Sequence, residues 1–141
     1  MKRDGGSTLP LTIGFGILCL ALILVVVAAT SLYLERKRLF TLADGAALVG
    51  AEAFTLDAVA ATPDGYRPTL KAADVASAVT TYLAAIPALS FDSLTVERAT
   101  TDDGRSATVT LSAVWHPPVL QLLAPQGVRV EVTARARSVF G

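Results

Sequence analysis

A long run without a charged side chain, residues 9–34, constrains this chain more than any other feature of its sequence. As an α-helix rising 1.5 Å per residue, the run would be about 39 Å long, whereas the hydrocarbon core of a bilayer is about 30 Å thick. Lys2 and Arg3 precede the run, and Glu35-Arg36-Lys37-Arg38 follows it. The pattern predicts a transmembrane helix over residues 9–34, preceded by a polar tail over residues 1–8.

Two other interpretations fit an apolar run near an amino terminus. A buried helix of a soluble protein is disfavoured because 141 residues cannot easily surround so long an apolar rod. A cleaved signal peptide would use Lys2 and Arg3 as its basic region and Ala28-Ala29-Thr30 as a small-residue cleavage site. The run exceeds the 7–15 apolar residues of such peptides, so a permanent anchor is favoured over cleavage after Thr30.

Charges give the topology only weakly. Basic residues flank the span on both sides, so the positive-inside rule hardly distinguishes the two orientations. The short amino-terminal tail and the domain that follows the span favour a carboxyl-terminal part outside the cytoplasm. Beyond Arg38 the chain has seven basic and ten acidic residues, and this mildly acidic balance argues against nucleic-acid binding. The only cysteine, Cys19, lies within the span, so no intramolecular disulfide can form.

The part after the span predicts an α+β domain. Residues 35–60 have small and apolar residues at helical spacing and should continue the membrane helix as an alanine-rich membrane-exit helix. Residues 61–68 contain the proline, aspartate and glycine residues typical of turns and are expected to form a loop. A second helix is expected over residues 69–86. Period-two alternation predicts three strands over residues 92–99, 106–115 and 128–140, with a short apolar turn at residues 117–123. The two helices should lie across one face of a three-stranded antiparallel sheet, within a small domain spanning residues 61–141.

One segment carries a family resemblance. After the basic cluster the chain reads Leu42-Ala43-Asp44-Gly45-Ala46-Ala47-Leu48-Val49-Gly50-Ala51. This segment, with the glycine-bearing start and the long apolar helix before it, resembles the amino-terminal region of TadE/TadG-like proteins of bacterial Flp (tight-adherence) pilus assembly. The downstream helix ending Tyr82-Leu83-Ala84-Ala85 and the last strand are also similar to such proteins. The resemblance implies a pilin-like, membrane-anchored accessory component and not an enzyme.

The chain departs from the pilin pattern at its start. Pilin-like precursors are typically cut after a glycine, with a glutamate at the fifth position of the mature chain. Cutting after Gly6 would place Leu11 there, and cutting after Gly5 would place Pro10. Because neither residue carries a carboxylate, a permanently anchored TadG-like role fits better than that of a major pilin.

The membrane-exit helix contains the candidate interaction residues. Its stripe of small residues suits close packing against a helix of another subunit or against the chain's own sheet, and the sequence does not decide between them. Asp44 has no cation three or four residues away on the helix, so it could pair with a basic residue of a partner. The predicted partner contacts are Asp44, Gly45, Gly50 and Glu52, and the predicted lipid-headgroup contacts are Arg36, Lys37 and Arg38.

No arrangement of residues predicts catalysis, a metal site or a cofactor. His116 is the only histidine and has no metal-ligand spacing around it. Trp115 is expected in the core or at the junction of helix and sheet. Arg129, Arg135 and Arg137 share the wet face of the last strand, as a solvated face or a protein contact. The expected partners are membrane lipid and other pilus-assembly subunits, with no small-molecule substrate. The alternative function is a membrane-tethered module that binds a surface ligand, which a sizeable pocket lined by aromatic side chains would favour and the scarcity of aromatic residues disfavours.

Overall fold

The structure is a computed structural model that describes residues 8–55, 59–86, 91–118, 121 and 124–138. At residues 60, 62 and 66–68 it describes only the backbone. The predicted polar tail, apart from Thr8, lies outside the described residues. So do parts of the predicted turn at residues 117–123 and the end of the last predicted strand.

The first element is one long helix, α1, Thr8–Ala51. Its amino-terminal half is exposed and apolar, and α1 is the one helix in the described part of the chain that is long and apolar enough to cross a membrane. The helix ends before the predicted boundary at residue 60. The amide N–H groups of Glu52 and Ala53 donate to carbonyl groups of the last turn, and Phe54 then packs on the core. The apolar spacing that suggested a longer helix therefore continues into non-helical chain.

A β-hairpin occupies the segment that was predicted to be loop. Strand β1, Val59–Thr62, pairs antiparallel with β2, Gly65–Pro68. Pro63 and Asp64 form the connecting turn, and Gly65 has φ +119°, which favours glycine. The turn signals were interpreted correctly. The strands were missed because four residues on each side are too few for alternation to stand out.

The second helix, α2, Ala72–Ala85, lies inside the predicted range 69–86. Val75 and Val79 are fully buried, and Tyr82 and Leu83 are partly buried against the same core. The four-residue spacing of the valines places both on one face of the helix. The apolar face expected from the sequence is therefore the one that packs inward.

Three strands form the predicted antiparallel sheet, in the order β3-β4-β5. They are β3, Asp92–Thr100, β4, Ser106–Trp115, and β5, Val128–Arg137. The register of β3 against β4 shifts between Val96 and Arg98, so the edge strand carries an irregularity at Glu97. Leu94 and Val96, expected on the buried face, are 36% and 38% exposed because the helices pack mainly on β4 and β5 and cover β3 less.

The core forms between the apolar face of the sheet and the two helices. Its fully buried side chains include Leu39 of α1, Val75 and Val79 of α2, and Val109 and Leu111 of β4. β4 is the central strand and is buried on both faces over much of its length. The α+β fold class, with a long amino-terminal helix, a second helix and a three-stranded antiparallel sheet, is confirmed.

Candidate functional site: the junction of helix and sheet

The carboxyl-terminal half of α1 packs against the rest of the folded domain. One face of it is buried against the sheet and α2, and its buried residues are Leu39, Leu42, Ala43, Ala46, Ala47, Gly50 and Ala51. Small residues at these positions let the helix backbone approach its neighbours closely. A Cβ atom placed on Gly50 would lie 3.1 Å from both the Ala107 Cβ and the Val75 Cγ1 atoms. Gly50 therefore marks a point where α1, α2 and β4 meet.

A second contact joins α1 to the opposite end of β4. The indole N–H of Trp115 donates a hydrogen bond to Ser31 Oγ at 3.1 Å. From Ser31 to Gly50 the helix rises about 28 Å, and from Ala107 to Trp115 the strand rises about 26 Å. The two lengths match, so β4 runs antiparallel along α1 between these contacts. The expectation that Trp115 lies at the helix–sheet junction is met by this hydrogen bond.

The Ser31 contact also limits the part of α1 that is free to cross a membrane. Residues 8–30 rise about 34 Å as a helix, close to the thickness of a hydrocarbon core of about 30 Å. Most of their side chains are exposed in the structure, with Leu11 72% and Val25 64% exposed. The contact between α1 and the sheet begins at Ser31, three residues before the predicted end of the span at Leu34.

The four predicted partner-contact residues fall into two groups. Asp44 and Glu52 are exposed, and neither forms an ion pair with another residue in the described ranges. Gly50 is buried under the chain's own elements. Gly45 is half-buried, and a Cβ atom there would lie 2.6 Å from the Tyr82 hydroxyl oxygen. Of the packing alternatives left open by the sequence, the structure shows contact within the chain itself, with α2 at both glycines and with the sheet at Gly50.

Asp44 lies on a face of α1 that the rest of the domain leaves uncovered. Tyr33, Phe40 and Leu48 on this side are 65%, 48% and 51% exposed. With Asp44 included, these residues follow one another at spacings of seven, four and four. In a helix of 3.6 residues per turn, all four side chains therefore lie on one side. We call Tyr33, Phe40, Asp44 and Leu48 the exposed face of α1. It combines apolar area with one carboxylate that lies about 20 Å along the helix beyond residue 30.

The three predicted headgroup residues lie on two sides of α1. Arg36 and Lys37 line a groove of about 540 Å³ between the helix and edge strand β5, together with Tyr33, Phe40 and Glu131. Arg38 lines a separate groove that continues the apolar surface of Val26 and Val27. All three side chains are exposed. Consecutive helical residues are about 100° apart, so a run of three cations surrounds much of the helix at this height.

His116 pairs with an acidic side chain. Its Nε2 atom lies 2.9 Å from Asp92 Oδ2, between the ends of β4 and β3, and both side chains reach solvent. No group of three or more metal-ligating side chains occurs among the described residues. A histidine–carboxylate pair without a nucleophile or a third ligand is a structural contact and gives no catalytic assignment.

The basic stripe on β5 is largely neutralised within the domain. Arg129 pairs with Glu97, and Ser112 Oγ hydrogen-bonds to both side chains. Arg135 pairs with Asp103 at 2.8 Å. Arg137 forms no ion pair with another described residue. Two of the three arginines therefore stabilise the sheet's outer face instead of offering free charge to a partner.

Asp103 caps the β3–β4 turn. Its Oδ1 atom accepts hydrogen bonds from the backbone N–H groups of Arg105 and Ser106, at 2.9 and 2.7 Å. These backbone bonds are the main cause that holds the pKa of the Asp103 carboxyl well below its ordinary value, with the Ser106 hydroxyl and Arg135 adding to them. Gly104 lies between Asp103 and Arg105 and has φ +67°, so it supplies the left-handed residue of the turn.

Sequence reasoning missed the residues that fix α1 to the sheet. Ser31 was placed inside the span, and 84 residues separate it from Trp115. Asp92 and His116 are likewise distant in sequence, by 24 residues. Local periodicity carries no information on such long-range pairs. Only the position of Trp115 at the end of a predicted strand suggested that it belongs at a junction.

A comparison with protein families gives a match in the amino-terminal part of the chain. The family model for TadE/G-like proteins of Flp pilus assembly matches residues 5–53, a segment that contains all of α1. The match confirms the resemblance drawn from the sequence over this segment. No curated protein and no solved structure matches the chain significantly.

Proposed function

We propose that this chain, TadE/G-like in the segment that forms α1, is a pilin-like accessory component of Flp pilus assembly, held in the membrane by a single helix. The family match supports a role in Flp pilus assembly, and such a role is structural. The single observation that carries the finer proposal is the division of α1 into two parts. Residues 8–30 are exposed and apolar, whereas residues 31–51 support a folded domain.

In this proposal the membrane part anchors and the domain contacts partners. Residues 8–30 hold the chain in a bacterial cytoplasmic membrane, with the sheet on the extracytoplasmic side. Arg36, Lys37 and Arg38 then lie where they can contact anionic headgroups, each contributing about 1 kcal/mol at such a surface. The domain brings no chemistry of its own and acts by position and contact.

Partner packing is assigned to the exposed face of α1. The small-residue face is already covered by β4 and α2, so a helix of another subunit cannot use it without displacing the domain. Phe40 and Leu48 provide uncovered apolar area, and Asp44 provides a charge between them. Glu52, exposed just beyond the end of the helix, extends the same proposal to a second carboxylate.

The experiment is complementation of a deletion strain in the source bacterium. The wild-type chain, Phe40→Arg, and Thr80→Arg as a control on the exposed surface of α2 are supplied at equal membrane levels, and surface pili are counted. We expect the wild type and the Thr80→Arg control to restore pili and Phe40→Arg to fail. If deletion leaves pili unchanged, the assembly role is wrong. If Phe40→Arg restores pili fully, the exposed face is not the contact.

The ligand-binding alternative has less support. The groove of about 500 Å³ at the outer end of the sheet is lined by charged and small residues, including Arg105, Arg135 and Arg137, with no aromatic side chain. Two other grooves each contain two aromatic residues, and both border α1. One lies beside Ser31 and the other beside Arg36 and Lys37, so their positions favour contacts at the bilayer over capture of a surface ligand.

A further inference from the structure

The Trp115 end of the sheet has a fixed height relative to the apolar half of α1. We define this end by Phe91, Asp92, Trp115, His116 and Val128, where β3 begins, β4 finishes and β5 begins. The hydrogen bond from Trp115 to Ser31 holds it one residue beyond the apolar segment 8–30. A span of that length leaves the hydrocarbon core close to Ser31, so the indole lies at the depth of the headgroups.

We propose that the Trp115 end of the sheet rests in the headgroup layer of the bilayer, so that the domain lies on the membrane surface and does not project freely above it. The proposal rests on the anchoring role of α1 proposed above. It assigns the folded domain, and not only the basic cluster after the span, as a lipid-contacting surface.

The composition of the Trp115 end of the sheet suits the headgroup layer. Trp115 and Phe91 are only partly buried, and Val128 is 45% exposed, so apolar area remains uncovered. Tryptophan is enriched at membrane–water interfaces because its ring is apolar while its N–H needs a polar partner. Tyr33, 65% exposed on the neighbouring turn of α1, adds a second amphipathic ring at nearly the same height.

A groove of about 530 Å³ opens between this end of the sheet and α1. Its lining combines aromatic and charged side chains: Ser31, Glu35, Phe91, Asp92, Trp115 and His116. Arg38 lines the adjoining groove, which shares Ser31 and Glu35. Acidic, basic and aromatic groups side by side match a zwitterionic headgroup layer, in which ammonium and phosphate groups alternate. Continuity with the apolar surface of Val26 and Val27 supports lipid as the occupant.

Trp115 is the chain's only tryptophan, which makes the test direct. The full chain is reconstituted in phosphatidylcholine–phosphatidylglycerol vesicles, and resistance to carbonate extraction establishes insertion independently. Trp115 emission is then measured with nitroxide labels carried either on the lipid headgroup or deep in the acyl chain. We expect loss of most of the emission with the headgroup label and a smaller loss with the deep label.

The matched control moves the tryptophan to the other end of the same strand. Trp115→Phe combined with Arg105→Trp places the indole about 30 Å away along β4. We expect its emission to be nearly unaffected by either lipid label. A second probe keeps Trp115 and uses a Cys19→Ser chain with a single new cysteine, either Val128→Cys or Arg105→Cys. An environment-sensitive dye is attached to that cysteine. We expect the lipid labels to quench the dye at position 128 and not at position 105.

The outcomes separate the two proposals. A carbonate-resistant chain whose positions 115 and 128 are quenched no more than position 105 would overturn this inference and leave the anchor intact. The Trp115 end would then be free for a protein partner. A chain extracted by carbonate would overturn the anchoring role itself.

Discussion

Ser31 and Trp115, which are 84 residues apart, are joined by a hydrogen bond from the indole N–H to the serine hydroxyl oxygen at 3.1 Å. Ser31 follows the exposed apolar half of α1, and Trp115 ends the central strand. This pair therefore fixes where the part free to span a membrane ends and the folded domain begins. Among the described residues it is the side-chain hydrogen bond that joins α1 to the sheet, so without it the tilt of the sheet would depend on apolar packing.

The Ser31–Trp115 pair should contribute measurably to stability. Ser31→Ala leaves the partly buried indole N–H without its partner, and we expect a loss of about 1 kcal/mol in the free energy of unfolding. Urea unfolding in detergent, followed by circular dichroism, measures the loss. Thr30→Ala, at the neighbouring exposed position, is the control and should change stability little. A double-mutant cycle with Trp115→Phe should show coupling between the two positions, and additive effects would contradict the bond.

Replacing Gly50 by leucine should damage the fold of the domain. A Cβ atom there already approaches Ala107 and Val75 to 3.1 Å, and a larger side chain would force the helices and the sheet apart. We expect destabilisation of about 1–3 kcal/mol from overpacking. The sequence predicts Gly50 as a partner contact, so a leucine there would also be expected to weaken assembly. The structure adds that any assembly defect would follow from lost packing within the domain.

The control for that substitution lies on the same helix. Gly14 has no atom within 4 Å of the position of an added Cβ, so Gly14→Leu should leave domain stability unchanged. Thermal melting of the Trp115 emission reports both variants. Equal melting temperatures for Gly50→Leu and the wild type would show that α1 is not packed against β4 and α2 at this point.

Two leucines on neighbouring strands should differ sharply in importance. Leu111 on β4 is fully buried, whereas Leu94 on edge strand β3 is 36% exposed. We expect Leu111→Ala to cost about 2–5 kcal/mol, the range for buried aliphatic truncations. Leu94→Ala should cost clearly less, because much of its side chain is already in water. Similar losses in chemical denaturation would contradict the placement of β3 at an open edge.

Asp103 should make stability depend on pH in acid. Its carboxyl pKa is lower in the folded chain than the ordinary value of 3.8, so its stabilisation is fully present above about pH 4 and declines as pH falls below that value. Asp103→Asn removes the charge that the Arg105 and Ser106 N–H groups and Arg135 favour. We expect the variant to be less stable at pH 7 and the difference to shrink toward pH 2. Asp102→Asn, an exposed neighbour, is the control.

Much of this architecture could be predicted from the sequence, because it depends on local periodicity. The long apolar helix, the valine-bearing face of α2 and the alternation along β4 are each visible within one segment. The end of α1 at Ala51 was not predictable in this way, since apolar spacing continues beyond it. The hairpin at Val59–Pro68 was hidden by its short strands, although Asp64-Gly65 marked its turn.

The candidate site was harder to predict because it depends on pairs distant in sequence. Asp44 and Glu52 are exposed as a partner contact requires, and they remain predictions. The sequence predicts Gly45 and Gly50 as partner contacts because they are small, and in the structure they lie within the chain, against Tyr82 and Ala107. The sequence alone does not show that two arginines of β5 are paired. In the structure Glu97 lies beside Arg129 and Asp103 lies beside Arg135.

Intact-mass measurement and amino-terminal sequencing of the protein from fractionated cells of its source would decide whether α1 is a permanent anchor. We predict a chain that stays in carbonate-washed membranes and retains residues 8–30. A start at Ser7 would still keep the span and would indicate pilin-like processing despite the missing carboxylate. A soluble chain that begins near Ser31, after cleavage at Thr30, would contradict the anchor and with it the placement of the domain on the membrane.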